Sequence, residues 1–382
     1  MELWNELTPW IVIAKPSSDL CWTCQQYTQE IGNRITVNDT EKQLLLDNYL
    51  KHLALAKKER EYYQTQCQEA KDCYPEAFDP YSPPTPCSFN GTAHYSWDYA
   101  QQLHYPADPQ QPGPIYFKTP RKCSIFGVSN DACNYQFNYL IDEIVATGKG
   151  ANSTISYVHH YMAIHGMGET KALMHADNCT GQNKNNFFIW YFAYRTIIGL
   201  KEGMEYSFMC VGHTKFSCDR CFGVLKKKTN RTELSSLYDV AEAVAESGDV
   251  NESELVGDHL GNVLVKVFDW STWFEKVFRK LEGILKYSHF RFSHLRPGEV
   301  NCYIDPHGPP VYTKNLIKME DVEQVKAYLT AMKPVEIIPE GFTEQRKAYL
   351  YNDIRQFCKE GSKDLVALAV NTAKKARKNN IH

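Results

Sequence analysis

The sequence predicts an α/β fold, a mixed sheet flanked by helices, with a helical appendage at the N-terminus and a helical extension at the C-terminus. Three observations lead there. A long helical pattern rich in Leu, Ala, Lys, Glu and Gln opens at Thr40-Glu41 and runs to about Lys71. Short strand-like runs separated by Pro, Gly and Asn turns begin near Tyr95. Beyond Gly150, helical and strand-like segments alternate. A chain of 382 residues with 43% hydrophobic and 13% aromatic content is globular and can bury a sizeable core.

Taken in order, residues 1–75 carry Cys21-x-x-Cys24 and the long helix, and the prolines of 76–92 mark a linker. The core, 93–235, starts with strands over Tyr95–Leu103, Pro114–Lys118, Lys122–Val128 and Tyr135–Ile141, an antiparallel meander. A helix follows to about His165 with Asn152 or Ser153 as N-cap. Lys171–His175 is a strand, Asn186–Leu200 a helix and Tyr206–Val211 a strand. Ser217 then caps a helix carrying Asp219 and Arg220. Several strands, helix, strand, helix, strand, helix is the order of the ribonuclease H-like fold. Residues 236–382 read as an insertion and C-terminal helical extension packed on the core. They hold an acidic loop or exposed helix around residues 242–254 and amphipathic helices over Trp270–Tyr287 and Phe342–Phe357.

A net charge of −3 argues against a surface that is wholly a nucleic-acid footprint, while leaving room for local basic stripes. Two occur, at Lys226-Lys227-Lys228 with Arg231 and at Lys374, Lys375, Arg377 and Lys378; the second reads first as a solvated tail. Thirteen scattered cysteines and an N-terminus without a signal-peptide pattern point to a reduced, intracellular setting. The longest apolar run, Phe187–Leu200, is shorter than the roughly 20 residues a membrane span needs and contains Arg195.

The chemistry rests on three separated acids: Asp98 in Ser96-Trp97-Asp98-Tyr99, Asp177 in His175-Ala176-Asp177-Asn178, and Asp219 after Gly212-His213-Thr214. Phosphodiester chemistry uses two divalent ions about 4 Å apart, with carboxylates as their hard ligands. Along the first strand Tyr95, Trp97 and Tyr99 share one face and Ser96, Asp98 and Ala100 the other, which gives the acid small neighbours. His175 shares a face with Asp177. Asp219 sits in the first turn of its helix, where an ordinary N-terminal acid serves equally well. His213 reads either as a proton shuttle to a leaving group or as a hydrogen-bonded histidine at a strand end. Lys184, Lys215 and Arg220 neighbour the acids as phosphate contacts or plain surface cations. Gln182 and Asn183 contact a nucleic-acid backbone or cap the next helix. The aromatic run Phe187–Phe192 is a buried helix face. Cys21-x-x-Cys24 is half of a structural Zn²⁺ site, with His52 a third ligand, or a pair of buried thiols. Cys67 lies roughly 22 Å from His52 along a continuous helix and cannot join it there. Cys218-x-x-Cys221 reads as two packed thiols.

The stretch Tyr95–Phe117, with Trp97-Asp98-Tyr99-Ala100-Gln101 and Gln111-Pro112-Gly113-Pro114-Ile115-Tyr116-Phe117, resembles an uncharacterised transposon-derived domain family of the DDE transposase and retroviral-integrase class. So do Ala176–Asn185 and Gly212-His213-Thr214 with Asp219-Arg220 and Phe222-Gly223. Weaker matches at Asp19–Cys24, His52–Tyr63 and Arg346–Tyr351 extend the resemblance over most of the chain. It implies a ribonuclease H-like catalytic core in which Asp98, Asp177 and Asp219 hold two Mg²⁺ or Mn²⁺ ions. It further implies DNA as substrate, homo-oligomeric assembly and a nuclear location. Members of this class carry a DNA-binding segment ahead of the core, and none is evident before Cys21. Two functions follow as expectations: a DDE-type polynucleotidyl transferase or nuclease, or a domesticated, non-catalytic DNA- or chromatin-associated interaction protein that keeps the fold.

Overall fold

The computed structural model describes residues 20–33, 39–74, 79–110, 113–133, 135–319 and 321–368. The weak match at Asp19, the Gln111-Pro112 pair and the C-terminal basic run from Lys374 lie outside the described residues. The chain forms two compact units. The first takes the described residues up to Arg60 together with Cys210–Thr214; the second takes Glu61–Met209 and the residues from Lys215 onward.

The first unit contains helix α1 (Trp22–Asn33) and most of helix α2 (Asp39–Asp72). The long helix is thus found within a residue of its expected start and end, but the unit boundary at Arg60 falls inside it, well before the Pro-rich segment taken as the linker. In the second unit the last turns of α2 bury Tyr62, Tyr63 and Ala70. Tyr62 Oη donates to Glu205 at 2.5 Å, and Arg291 Nε closes on the same carboxylate at 2.7 Å.

The second unit is built on one mixed sheet of ten strands: β1 (Phe89–Tyr99), β2 (Leu103–Tyr105), β3 (Arg121–Asn130), β4 (Tyr135–Asp142), β5 (Glu169–His175), β6 (Gly203–Ser207), β7 (Asn251–Leu255), β8 (His289–Ser293), β9 (Glu299–Tyr303) and β10 (Tyr312–Asn315). The strand order is β10-β9-β8-β6-β5-β1-β3-β4-β7, with β2 alongside β3. Strands β1, β5 and β6 are mutually parallel, β3 and β4 run as an antiparallel meander from β1, and β7 lies parallel to β4. Strands β8, β9 and β10 continue the other edge antiparallel.

Helices α3 (Ala151–Ile164) and α4 (Asn186–Ile197) cover one face of the sheet. The core there joins Tyr95 and Trp97 of β1, Phe126 and Val128 of β3, and Ala172 and Met174 of β5 to Ile155, Val158, Phe188 and Phe192 of the helices. The Trp97 ring stacks between Phe188 at 5.5 Å and Tyr206 at 5.7 Å. On the other face α5 (Ser217–Thr229) and α6 (Leu237–Ala245) bring Leu225, Leu237, Val240 and Val244 against Cys123, Ile125 and Leu140. Helices α7 (Trp270–Glu275), α8 (Val322–Ala331), α9 (Glu344–Tyr349) and α10 (Lys363–Val366) complete the described set. Among the described residues no helix is long and apolar enough to cross a membrane.

Several elements depart from the sequence reading. Segment 114–118, expected as a strand, is a 3₁₀ turn over Gly113–Phe117; Pro114 has no N–H to give to a ladder. The expected helix Trp270–Tyr287 stops at Glu275. Beyond it Arg279 N–H reaches Leu316 O at 2.6 Å and Lys318 N–H reaches Val277 O at 2.8 Å, so the backbone bonds go to a neighbouring segment while Phe278 and Leu281 still fill the core. The helix expected over Phe342–Phe357 holds α-geometry only to Tyr349 and continues as a π turn. The acidic region expected as loop or exposed helix is α6 followed by β7, an edge strand of the sheet. Residues after 236 therefore enlarge the central sheet by four strands as well as adding helices. The N-cap of α3 is Gly150, not Asn152 or Ser153; Asn152 Nδ2 instead donates to Asp269 and Ser271.

A buried ion pair closes the β3–β4 side. Arg121 donates through Nε and Nη2 to Asp142 at 2.8–3.0 Å, and through Nη1 to the carbonyls of Leu365 at 2.9 Å and Val366 at 3.2 Å. Tyr105 Oη bonds the same carboxylate. Removing one partner strands a charge where water cannot reach it. Arg121→Met is expected to cost about 3–5 kcal/mol in urea unfolding, and the double variant Arg121→Met/Asp142→Leu to recover part of that loss.

Candidate functional site

Alternation along β1 sends Tyr95 and Trp97 into the core and leaves His94, Ser96 and Asp98 on the opposite face. The parallel partner β5 does the same: Ala172, Met174 and Ala176 join the core while His175 faces the other way, and Asp177 follows in the turn after the strand. Ser96 pairs with His175, so continuing that register by two residues sets Asp98 level with Asp177. Asp98 thus lies near the carboxyl end of β1, and Asp177 two residues past the carboxyl end of the adjacent parallel strand β5.

Asp98 is half-buried, and its Oδ1 accepts the Tyr99 N–H at 2.7 Å. Its carboxyl is pushed up to about 7, first by burial and then by the Asp177 charge; the Tyr99 N–H opposes this, Asp219 adds to it, and Lys149 opposes it. Asp177 and Asp219 thus both act electrostatically on Asp98. Asp177 is fixed by Asn183 Nδ2, which donates to its Oδ1 at 2.5 Å, and by the Cys179 N–H at 3.2 Å. Asn183 Oδ1 in turn accepts from Trp97 Nε1 at 3.0 Å, which ties the two acid-bearing strands together through one amide. Asp219 is exposed in the first turn of α5, and its Oδ2 accepts the Phe216 N–H at 2.7 Å. The capping role anticipated as the plainer reading is thus present, with Phe216, not Ser217, at the cap position.

The residues expected to contact nucleic acid divide. Lys215 and Arg220 are exposed and Gln182 is half-buried. Asn183 and Lys184 are buried; Lys184 Nζ donates to Asn178 Oδ1 at 3.1 Å and lies over the Phe208 ring at 4.8 Å. They position the Asp177 turn and do not present themselves to a phosphate. The following helix is capped by Asn185, whose side chain accepts from the Phe187 and Phe188 N–H groups. Cys218 and Cys221 are buried, and burial raises both thiols, as packed, unreactive cysteines require.

Beneath the acids lies a polar layer that the sequence did not disclose. His94 Nδ1 bonds Asp131 Oδ2 at 2.6 Å and its Nε2 faces His175 Nδ1 at 2.9 Å, while Ser96 Oγ donates to Asp131 at 3.1 Å. Burial alone would lower His94, but the Cys67 sulfur and the Asp131 carboxylate outweigh it and raise the imidazole to about 10. The alternation of His94, Ser96 and Asp98 on one strand face was the available signal; the contribution of Asp131 from the end of β3 was not readable.

His213 groups with two cysteines and a second histidine of the first unit. Its Nε2 lies 3.4 Å from Cys24 Sγ and 3.2 Å from His52 Nε2, and Cys21 Sγ lies 3.3 Å from His52 Nε2. Among the described residues two groups of three or more such ligands have atoms within 4.8 Å of one another: Cys21, Cys24, His52 and His213, and Cys67, His94 and Asp131. Cys67 and His52 fall in separate groups, and Asp98, Asp177 and Asp219 belong to neither.

Residues 118–307 match a family described as "Domain of unknown function (DUF7869)". That span includes Asp177, His213 and Asp219 and leaves out Asp98. No curated protein and no solved structure matches the chain.

The raised Asp98 carboxyl fixes a stability profile. Between the unfolded value near 4 and the folded value of about 7 the folded chain keeps a proton that the unfolded chain has released. Stability contributed by this group falls as pH rises through that window. In metal-free buffer Asp98→Asn is expected to stabilise the protein by on the order of 2 kcal/mol above pH 7, with the gain vanishing near pH 4. Urea melts across that range check it.

Proposed function

We propose that the chain is a DDE-type, metal-dependent polynucleotidyl transferase or nuclease with a ribonuclease H-like core, derived from a DNA transposon and acting on DNA phosphodiesters. The observation that carries the reading is the convergence of Asp98 and Asp177 on the ends of adjacent parallel strands, with Asp219 close enough to act on Asp98. The order β4-β3-β1-β5-β6, with an antiparallel meander leading to parallel strands joined by helices, supports the fold assignment. Two ions on these acids would divide the work, one to generate the attacking hydroxide or 3′-oxygen and one to stabilise the leaving oxygen. Asn183 holds Asp177 in place, and the exposed Lys215 and Arg220 supply charge for the phosphate backbone. Assembly as a homo-oligomer and action in the nucleus follow from the same reading.

A second reading, a non-catalytic DNA- or chromatin-associated protein that keeps the fold, is favoured by one feature: the Asp219 carboxylate is already engaged in capping its own helix. Metal binding separates the two. Mn²⁺ calorimetry is expected to register one or two ions on the wild type and none on Asp177→Asn. Because a metal must displace the Asp98 proton, affinity should rise about tenfold per pH unit up to about 7 and then level off. DNA nicking in Mn²⁺ should fall at least about a hundredfold in Asp98→Asn and Asp177→Asn. A folded protein that binds no Mn²⁺ at millimolar concentration, or nicking unchanged by Asp177→Asn, sinks the enzymatic reading.

A further inference from the structure

The described residues of the first unit bury few apolar side chains. Among its described residues only Cys21 and Ala56 are buried hydrophobics, while Leu20, Trp22, Leu44, Leu50 and Leu55 are exposed. Small bodies with few buried apolar side chains are commonly held by a covalent or metal staple. The four side chains that converge there are Cys21, just ahead of α1, Cys24 in its first turn, His52 in α2, and His213 in the loop Cys210–Thr214.

We propose that Cys21, Cys24, His52 and His213 form a closed, four-coordinate structural Zn²⁺ site, chemically distinct from the acid cluster. The separations support tetrahedral packing around one ion. With Zn–N near 2.0 Å and Zn–S near 2.3 Å, tetrahedral edges are roughly 3.3 Å for N···N and 3.5 Å for N···S. The structure has 3.2 Å between the two Nε2 atoms and 3.3 and 3.4 Å for the two S···N pairs. Two sulfurs and two imidazole nitrogens select zinc over Mg²⁺ and Mn²⁺, which take oxygen ligands. With four protein ligands no position remains for water or substrate, so the ion is structural.

The approach of the loop is built in at Gly212. Its φ is +80°, and a Cβ there would lie 2.7 Å from Cys21 Cα and 3.0 Å from Cys21 Sγ, so only glycine lets the backbone come this close. Arg60 Nη2 donates to the His213 carbonyl at 2.9 Å and fixes the same loop from α2. The inference is independent of the nuclease reading, since no ligand is shared with it.

The test is zinc content by mass spectrometry on reduced protein grown in zinc-replete medium, with Co²⁺ substitution as the spectroscopic probe. Wild type should carry one zinc per chain and, with Co²⁺, give a tetrahedral d–d spectrum with a thiolate-to-cobalt charge-transfer band. Cys24→Ser should weaken that band, His213→Ala should lower metal affinity by at least about a hundredfold, and Asp177→Asn should leave zinc at one per chain. Gly212→Ala keeps all four ligands and should still weaken zinc. Competition with a zinc chelator on the wild-type chain gives the affinity without a variant, should the cysteine variants fail to fold. Folded wild type without zinc, a Cys21–Cys24 disulfide under reducing conditions, or zinc lost in Asp177→Asn and kept in Cys24→Ser would overturn the assignment.

Discussion

The parallel pairing of β1 with β5 is the constraint on which the rest of the second unit depends. Its register decides, residue by residue, what faces the helices and what faces the acids. On one side it aligns Tyr95 and Trp97 with Met174 and Ala176 in a dense aromatic core. On the other it aligns Ser96 with His175 and carries Asp98 to the level of Asp177. A slip of one residue would bury the acids under α3 and α4 and expose the tryptophan, so the core that stabilises the sheet also fixes the position of the carboxylates. The Trp97–Asn183–Asp177 chain makes this explicit, because one end of the amide is held by a core indole and the other by an acid.

That arrangement carries an electrostatic cost. Two carboxylates at strand ends repel, and burial adds to the penalty on Asp98. On the same strand face as Asp98 lies His94, raised to about 10 and so cationic at neutral pH, bonded to Asp131 on one side and facing His175 on the other. A buried imidazolium with hydrogen-bonding partners at both nitrogens is stable only as part of a complete network. Loss of Asp131 would remove one of its two hydrogen-bonding partners, which makes that residue at the end of β3 as much a part of the polar face as the acids themselves.

The sequence made some of this legible and hid the rest for identifiable reasons. Strict alternation around Trp97-Asp98 disclosed which face was apolar, and the run after His175 disclosed a strand followed by a capped helix, because both are local patterns. Which residue does the capping was misread: three asparagines stand in Asn183-Lys184-Asn185-Asn186, and only three-dimensional reach assigns Asn183 to the acid and Asn185 to the helix. Strands β7 to β10 were not anticipated because short edge strands in polar sequence carry no strong period. The half-motif Cys21-x-x-Cys24 pointed to zinc chemistry and His52 to a third ligand, but His213 stands 189 residues beyond Cys24 in the chain, and no spacing rule spans such a loop.

The two ligand groups differ in readiness, and the difference matches their chemistry. Soft donors from Cys21, Cys24, His52 and His213 lie at near-tetrahedral separations, as a closed structural site demands. The acids do not. Asp98 keeps a proton up to about 7, and Asp219 spends an oxygen on the Phe216 N–H. The Asp98 proton is a cost that a divalent ion would have to exceed. Asp177, with two donors on a single oxygen, has its second oxygen free of these bonds and is the natural first ligand. A substrate phosphate that brings its own oxygens to the ions lowers the same cost. On the proposed reading, such a site would gain its second ion most readily when the nucleic acid is already there.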